Sequence, residues 1–232
     1  MRHCGPVKRT LVAPNVHAIQ LLRVKIHAIL EADGVTLIDT GYAGSLPRIT
    51  KALADLGRPL SDVRRVICTH GHPDHAGGAQ ALADLGIEIL IHPADAANTR
   101  VDLRSAIRQP SRGRFFAAMT PPLATYTPLE DGEVVAVLGG LEVIHTPGHT
   151  PGSVCLYARQ RSLLFVGDVL QRRFGKVSAA SALYSDDAAG ARSSLQRLAG
   201  LDVRTVIFSH FPPLVDEPAA TLAKLVRQVS EE

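Results

Sequence analysis

The sequence predicts an α/β protein in which two layers of strands lie between two outer layers of helices. Short apolar runs typical of strands alternate with segments whose apolar residues recur at helical spacing. The second half of the chain repeats this layout without repeating the sequence, and no flexible linker separates the halves. Because 46% of the 232 residues are hydrophobic, the chain can bury one sizeable core. We therefore predict a single domain over residues 1–232, a four-layer α/β sandwich.

The first half begins with two or three strands between Asn15 and Asp39, since Asp33-Gly34 between alternating apolar residues is a strong hairpin signal. A helix is predicted from Ser45 to Leu56, where apolar residues recur at helical spacing and a glycine follows. The strand "RRVICTH", a helix from Pro73 to Leu85, the strand "IEILIH" and a helix starting at Pro93 come next.

A helical insertion over one face of the sandwich is predicted at about residues 94–128. The segment carries five arginines and ends in the proline-rich stretch "TPPLATYTP". Phe115 and Phe116 are candidate substrate contacts in it. Packing of the insertion onto the core would explain these two aromatic residues equally well.

The second half is predicted to contain five strands and two helices. The strands are Glu133–Leu138, Leu141–His145, Ser153–Ala158, Leu163–Val166 and Val203–Phe208, and the helices are Asp187–Leu198 and the segment from about Pro218 onward.

Composition excludes several classes of function. A formal net charge of +3 is too small and too scattered to indicate a nucleic-acid partner. No apolar run approaches the roughly 20 residues that span a bilayer. The three cysteines lack any CxxC pairing, which argues against a disulfide framework and favours a reducing compartment. We expect a cytoplasmic monomer or homodimer whose partner is a small-molecule substrate.

The stretch "THGHPDHAGG" places His70, His72, Asp74 and His75 directly after a predicted strand. Imidazole nitrogens and carboxylate oxygens are zinc ligands, so the cluster indicates a divalent cation site. A solvated, histidine-rich loop is the simpler alternative.

Three further candidate ligands follow apolar strands: His149 in "IHTPGHTPGS", Asp168 in "LLFVGD" and His210 in "VIFSH". Open α/β sheets tend to place their sites at such strand ends. Taken singly, each of the three would more often be a helix cap or an ordinary polar loop residue.

With these motifs, in this order and together with "LIDTG" at Asp39, the chain resembles the metallo-β-lactamase superfamily, which has an αββα sandwich. The resemblance implies one cation held by His70, His72 and His149 and a second held by Asp74, His75 and His210, with Asp168 between them and Asp39 supporting the ligands. It also implies two divalent cations, zinc first and manganese or iron as alternatives. Two such cations can share a water whose pKa falls from 15.7 towards 7, and Asp74 would orient this nucleophile and pass a proton to the leaving group.

The implied activity is hydrolysis of a small ester-like substrate. Complete ligand sets occur in compact lactonases, including N-acyl homoserine lactonases, which the chain resembles in layout, so a lactone is the first expectation. Thioesterases related to glyoxalase II share the ligands, but the segment that follows their aspartate is not recognisable in "GDVLQRRFGKVSAASALYSDD", so a thioester is the second. β-Lactam hydrolysis is not expected as the main activity, because the familiar two-zinc β-lactamases have cysteine at the position of Asp168. A phosphodiesterase, a mononuclear iron sulfur dioxygenase and a non-catalytic metal-binding protein are the alternatives.

Two residues are candidate substrate contacts near Asp168. The lactonases typically place a tyrosine shortly after this aspartate, whereas here Val169 to Arg172 follow and Tyr184 lies farther along. Arg172 could attract an anionic substrate or belong to a solvated loop.

Overall fold

One large sheet occupies the first half of the chain. The computed structural model describes residues 7–98 and 119–231. In both chain order and spatial order, the sheet contains β1 (Arg9–Ala13), β2 (Val16–Leu21), β3 (Val24–Glu31), β4 (Gly34–Ile38), β5 (Val63–Ile67), β6 (Glu88–Ile91) and β7 (Thr127–Pro128). Strands β1 to β4 are antiparallel neighbours, whereas β4 to β7 run parallel. The loops that follow β4, β5 and β6 therefore leave the sheet at one edge.

A second sheet lies in the second half of the chain. Its strands are β8 (Val134–Val135), β9 (Leu141–His145), β10 (Val154–Ala158), β11 (Leu163–Phe165) and β14 (Thr205–Ile207), in the spatial order β14-β11-β10-β9-β8. The strands β12 (Leu170–Arg173) and β13 (Lys176–Ala179) form a separate hairpin.

Helices cover the two outer faces. They are α1 (Leu46–Ala54), α2 (Pro73–Ala76), α3 (Ala79–Ala83), α4 (Pro93–Asn98), α5 (Ala188–Ser193) and α6 (Pro218–Ser230), with 3₁₀ turns at Leu60–Asp62, Arg159–Arg161 and Ser194–Leu198. One apolar cluster packs α1 and α3 on the first sheet, a second joins the two sheets, and a third packs α6 on the second sheet. The predicted four-layer α/β sandwich is confirmed.

Several predicted elements differ from the observed ones. The helix predicted over Pro73–Leu85 divides into α2 and α3, because the Gly78 amide donates instead to Gly41 O and Thr40 Oγ1, each at 3.0 Å. The strand predicted over Glu133–Leu138 shrinks to β8, since the Val137 amide donates to the Val135 carbonyl at 2.8 Å and the chain turns directly after Val135. The strands β1, β7, β12 and β13 were not predicted.

The expected insertion is only partly described. Helix α4 covers its start and β7 its end, while Phe115 and Phe116 lie outside the described residues. The insertion and the single-domain organisation stay predictions. No helix within residues 7–98 and 119–231 has the length and apolarity needed to cross a bilayer.

Candidate metal centre

Seven predicted ligands meet where the loops of the two sheets face each other. The loop after β5, together with α2, carries four of them. The remaining three come from the loop between β9 and β10, the turn after β11 and the loop after β14. The seven are His70, His72, Asp74, His75, His149, Asp168 and His210, and they include three groups whose ligand atoms all lie within 4.8 Å of one another.

The first group consists of three buried histidines. His72 Nδ1 lies 3.2 Å from His70 Nε2 and 3.0 Å from His149 Nε2. His70 and His72 come from the first sheet and His149 from the second, so this group spans the interface between the sheets.

The second group consists of Asp74, His75 and His210, and so combines a carboxylate with two histidines. The Nε2 atoms of His75 and His210 are 3.4 Å apart, and Asp74 Oδ2 lies 3.3 Å from His210 Nε2. Asp168 lies between the two groups: its carboxylate is 3.3 Å from His210 Nε2, 3.6 Å from His75 Nε2 and 3.8 Å from His149 Nε2. This position suits a ligand shared by both groups.

Carboxylate and carbonyl oxygens fix the tautomers of the second group. His75 Nδ1 donates to Asp39 Oδ2 at 2.8 Å, and His210 Nδ1 donates to the Arg23 carbonyl at 2.9 Å. Both acceptors lack a proton, so in neutral rings the lone pairs of both Nε2 atoms point at each other.

Hydroxyl groups do the same for two histidines of the first group. The Thr69 hydroxyl donates to Asp39 Oδ1 at 2.9 Å, which leaves its oxygen to accept from His70 Nδ1 at 3.1 Å. The Ser185 hydroxyl donates to Ser181 O at 2.9 Å and can accept from His149 Nδ1 at 3.4 Å. Both rings are thereby held with Nε2 towards the centre.

Protonation differs between the groups when no cation is bound. Burial lowers the pKa of His70, His72 and His149, that of His72 to about 3. Burial also lowers the pKa of His75, but the nearby carboxylates of Asp39, Asp74 and Asp168 outweigh it and raise the value to about 9.

His210 behaves like His75. Burial opposes its charged form, yet hydrogen bonds to Asp168 and Asp74 raise its pKa to about 11. In the absence of a cation, protons therefore balance the negative charge of the second group.

The donor set fits divalent cations. Inward Nε2 or Nδ1 lone pairs that face one another at 3.0–3.4 Å repel unless a proton or a cation lies between them. Nitrogen and carboxylate donors of this kind are those that zinc, manganese and iron accept. Asp39 and the Arg23 carbonyl behind the rings complete the arrangement found around metal-bound histidines.

Comparison with known proteins identifies the family. The model of the metallo-beta-lactamase superfamily matches residues 23–210. The chain belongs to the metallo-β-lactamase superfamily. Among solved structures, a family member from Thermus thermophilus has a TM-score of 0.72 at 23% identity and covers 95% of this chain and 79% of its own. A B3 metallo-β-lactamase with an active-site glutamic acid has a TM-score of 0.74 at 21% identity, covering 97% of this chain and 90% of its own. Both show the shared fold.

Curated relatives share more of the sequence. Acyl-coenzyme A thioesterase MBLAC2 of Gallus gallus is 35% identical over 58% of this chain and 53% of its own length. Hydroxyacylglutathione hydrolase of Pseudomonas paraeruginosa is 34% identical over 64% of this chain and 46% of its own. The uncharacterized protein YobT of Bacillus subtilis is 32% identical over 67% and 65%. The match thus spans between about half and two thirds of these relatives.

A cleft of about 510 Å³ opens above the metal centre of this superfamily member. Asp74, His72, His149, Asp168 and His210 lie in its wall. The other polar residues that line it include Arg23, Tyr42, Gln171, Arg173 and Tyr184. Neither Arg23 nor Arg173 forms an ion pair with a carboxylate of the described residues. Within the described residues, two arginines that pair with no carboxylate therefore line the cleft.

The predicted substrate contacts have different positions. Tyr184 lines the cleft. Arg172 instead donates to the Pro213 carbonyl at 2.9 Å, and its neighbour Arg173 faces the cleft. Arg173, and not Arg172, is therefore the arginine of β12 among the residues that line the cleft.

Sequence reasoning missed Asp95. This residue of α4 is fully buried and accepts hydrogen bonds from both ligand-carrying loops. Burial raises its pKa to about 6, although the bonds from Thr150, Gly152 and Gly71 lower it. The motif "HPAD" placed Asp95 in the first turn of a predicted helix, where a carboxylate needs no further explanation.

Proposed function

We propose that this protein is a hydrolase that holds two divalent cations and cleaves thioesters of an anionic thiol. The observation that carries the proposal is the pairing of two ligand groups, joined at Asp168, with a cleft wall whose arginines pair with no carboxylate of the described residues. Zinc is the first choice of metal, and manganese and iron are the alternatives.

The side chains have distinct tasks in this proposal. His70, His72 and His149 would hold one cation, Asp74, His75 and His210 would hold the other, and Asp168, which lies between the two groups, would serve both. When bound, such cations act as Lewis acids and lower the pKa of water towards 7. Asp39 and Thr69 keep the histidine rings oriented, and Asp74, at the cleft wall, accepts the proton that the attacking water gives up.

The cleft supports an anionic substrate. A guanidinium pairs with phosphate or carboxylate through charge-assisted hydrogen bonds. The named relatives act on thioesters of coenzyme A and of glutathione, and both of these thiols carry negative charge. A thiolate, whose conjugate acid has a pKa of about 8.5, also leaves without being protonated.

A lactone is the second candidate. Tyr184 lines the same cleft as Asp168, in keeping with the tyrosine that lactonases place near this site. The opened lactone would leave an alkoxide that needs a proton, and Asp74 or Tyr184 would supply it.

A panel of substrates tests the proposal. Zinc-loaded protein is assayed with acyl-coenzyme A, acylglutathione, a neutral N-acetylcysteamine thioester, homoserine lactones and a phosphodiester, each with and without a chelator. We expect chelator-sensitive turnover of the anionic thioesters at a kcat/KM of about 10⁴ M⁻¹s⁻¹ or more. Preference for lactones or phosphodiesters would reassign the substrate. Silence on the whole panel with two metals bound would overturn the hydrolase proposal.

Charge reversal tests the role of the arginines. R23E and R173E should each raise KM for the anionic thioesters by about 10- to 100-fold, because a charge-assisted contact contributes about 1.5–3 kcal/mol. KM for the neutral N-acetylcysteamine thioester should stay unchanged. R161E is the matched control, since Arg161 is exposed at the opposite end of β10. Equal effects on charged and neutral thioesters would exclude anion recognition by these residues.

A further inference from the structure

Two loops must be aligned for the first ligand group to form. One follows β5 and carries His70 and His72, while the other joins β9 to β10 and carries His149. The loops belong to different sheets. Some contact between the loops must therefore fix the distance between His149 and the other two histidines.

The carboxylate of Asp95 contacts both loops. Its Oδ2 accepts from the Gly71 amide at 2.7 Å and from the Thr150 hydroxyl at 2.6 Å. Its Oδ1 accepts from the Gly152 amide at 2.7 Å. Gly71 lies between His70 and His72 in the sequence, and Thr150 directly follows His149, so in each loop one contact is next to a ligand.

Packing around Asp95 matches these hydrogen bonds. An added Cβ at Gly152 would lie 2.7 Å from Asp95 Cγ, and one at Gly71 would lie 3.2 Å from Asp95 Cβ. Glycine at both positions lets the two loops approach the carboxylate closely. Thr150 is itself held by Ser153, whose Oγ lies 2.7 Å from the Thr150 hydroxyl oxygen.

We propose that Asp95 is a positioning residue that sets the spacing of the three histidines of the first ligand group. The inference rests on the proposed function, because it assumes that this group holds a cation. A carboxylate suits the task, since each of its two oxygens accepts from a different backbone amide. Asparagine has one acceptor oxygen, so in its place the NH₂ group would face one of the two amides.

Cobalt(II) titration, followed by visible absorption, tests the proposal without measuring turnover. D95N is combined with H210A, which impairs the second ligand group, and separately with H72A, which impairs the first. We expect D95N to weaken cobalt binding by about 10- to 100-fold in the H210A background, the range typical of residues that orient metal ligands. In the H72A background the change should stay within about twofold.

Controls keep the outcome decisive. D84N makes the same chemical change at an exposed aspartate and should leave cobalt binding unchanged in both backgrounds. If circular dichroism shows that D95N does not fold, T150V takes its place. T150V removes one of the three hydrogen-bond donors to Asp95 and should weaken cobalt binding by the first ligand group by about tenfold. Equal weakening in both backgrounds, or none in either, would overturn the role of Asp95.

The two proposals fail in different ways. If the unaltered protein takes up neither cobalt nor zinc, the proposed function itself is wrong. If it binds two metal ions and D95N or T150V binds both as tightly, only the role of Asp95 is wrong.

Discussion

The two ligand groups differ in how their charge is balanced. The first consists of three buried histidines whose pKa values are lowered, so it is neutral and its lone pairs are available near neutral pH. The second combines carboxylates with His75 and His210, whose pKa values of about 9 and about 11 keep them protonated. A cation would enter the first group without competition from protons, whereas it would have to displace protons from the second.

Replacement of the shared carboxylate should have the largest effect, because it removes the link between the groups. We expect D168A to lower kcat by about a thousandfold or more and to weaken metal binding by both ligand groups, with the fold retained. H72A, by contrast, should lower turnover as strongly but weaken the first metal ion alone. Turnover, metal content and circular dichroism distinguish these outcomes. Hydrolysis retained in either variant would contradict the assigned site.

Proton release on metal binding should separate the groups next. At pH 7, loading the second group should release roughly one to two protons, because the His75–His210 pair titrates together above that pH. Loading the first group should release none. Affinity for the second ion should therefore rise by about tenfold or more per pH unit between pH 6 and 8, while that for the first stays constant. Calorimetry in buffers of different ionisation enthalpy measures the number of protons released as each group is loaded. Equal release at the two steps would contradict the difference in protonation between the groups.

The smallest effect is expected at Ser185. Its hydroxyl oxygen is 3.4 Å from His149 Nδ1, a long contact that holds the ring weakly. S185A should lower the affinity of the first ligand group for its metal ion by about threefold or less and leave the affinity of the second group unchanged. Zinc competition with a chromophoric chelator is sensitive enough to detect this. A tenfold loss would show that the serine holds His149 more firmly than its distance indicates.

The fold and the seven candidate ligands could be predicted from the sequence because their patterns are local. Each ligand follows an apolar strand within a few residues, and strand ends of one sheet meet at one edge. Asp95 escaped notice because its partners, Gly71, Thr150 and Gly152, are distant in the sequence and two of them contribute only backbone amides. Such contacts leave no pattern in residue type.

The hairpin of β12 and β13 shows a second limit. Its residues are mostly polar or small, so no alternation predicted strands there. Without the strand, nothing distinguished Arg172 from Arg173, although the two side chains point in opposite directions. Breaking of the predicted helix at Gly78 likewise depends on acceptors from the distant loop after β4.

Arg23 contributes to this protein twice, through separate parts of the same residue. Its carbonyl accepts a hydrogen bond from His210, and the residue also lines the cleft where its guanidinium is proposed to meet the substrate. Every amino acid offers the same carbonyl, so a substitution at position 23 can alter which molecules are recognised while the histidine keeps its orientation. In the proposed hydrolase, substrate preference could therefore change through position 23 while the seven-ligand set stays intact.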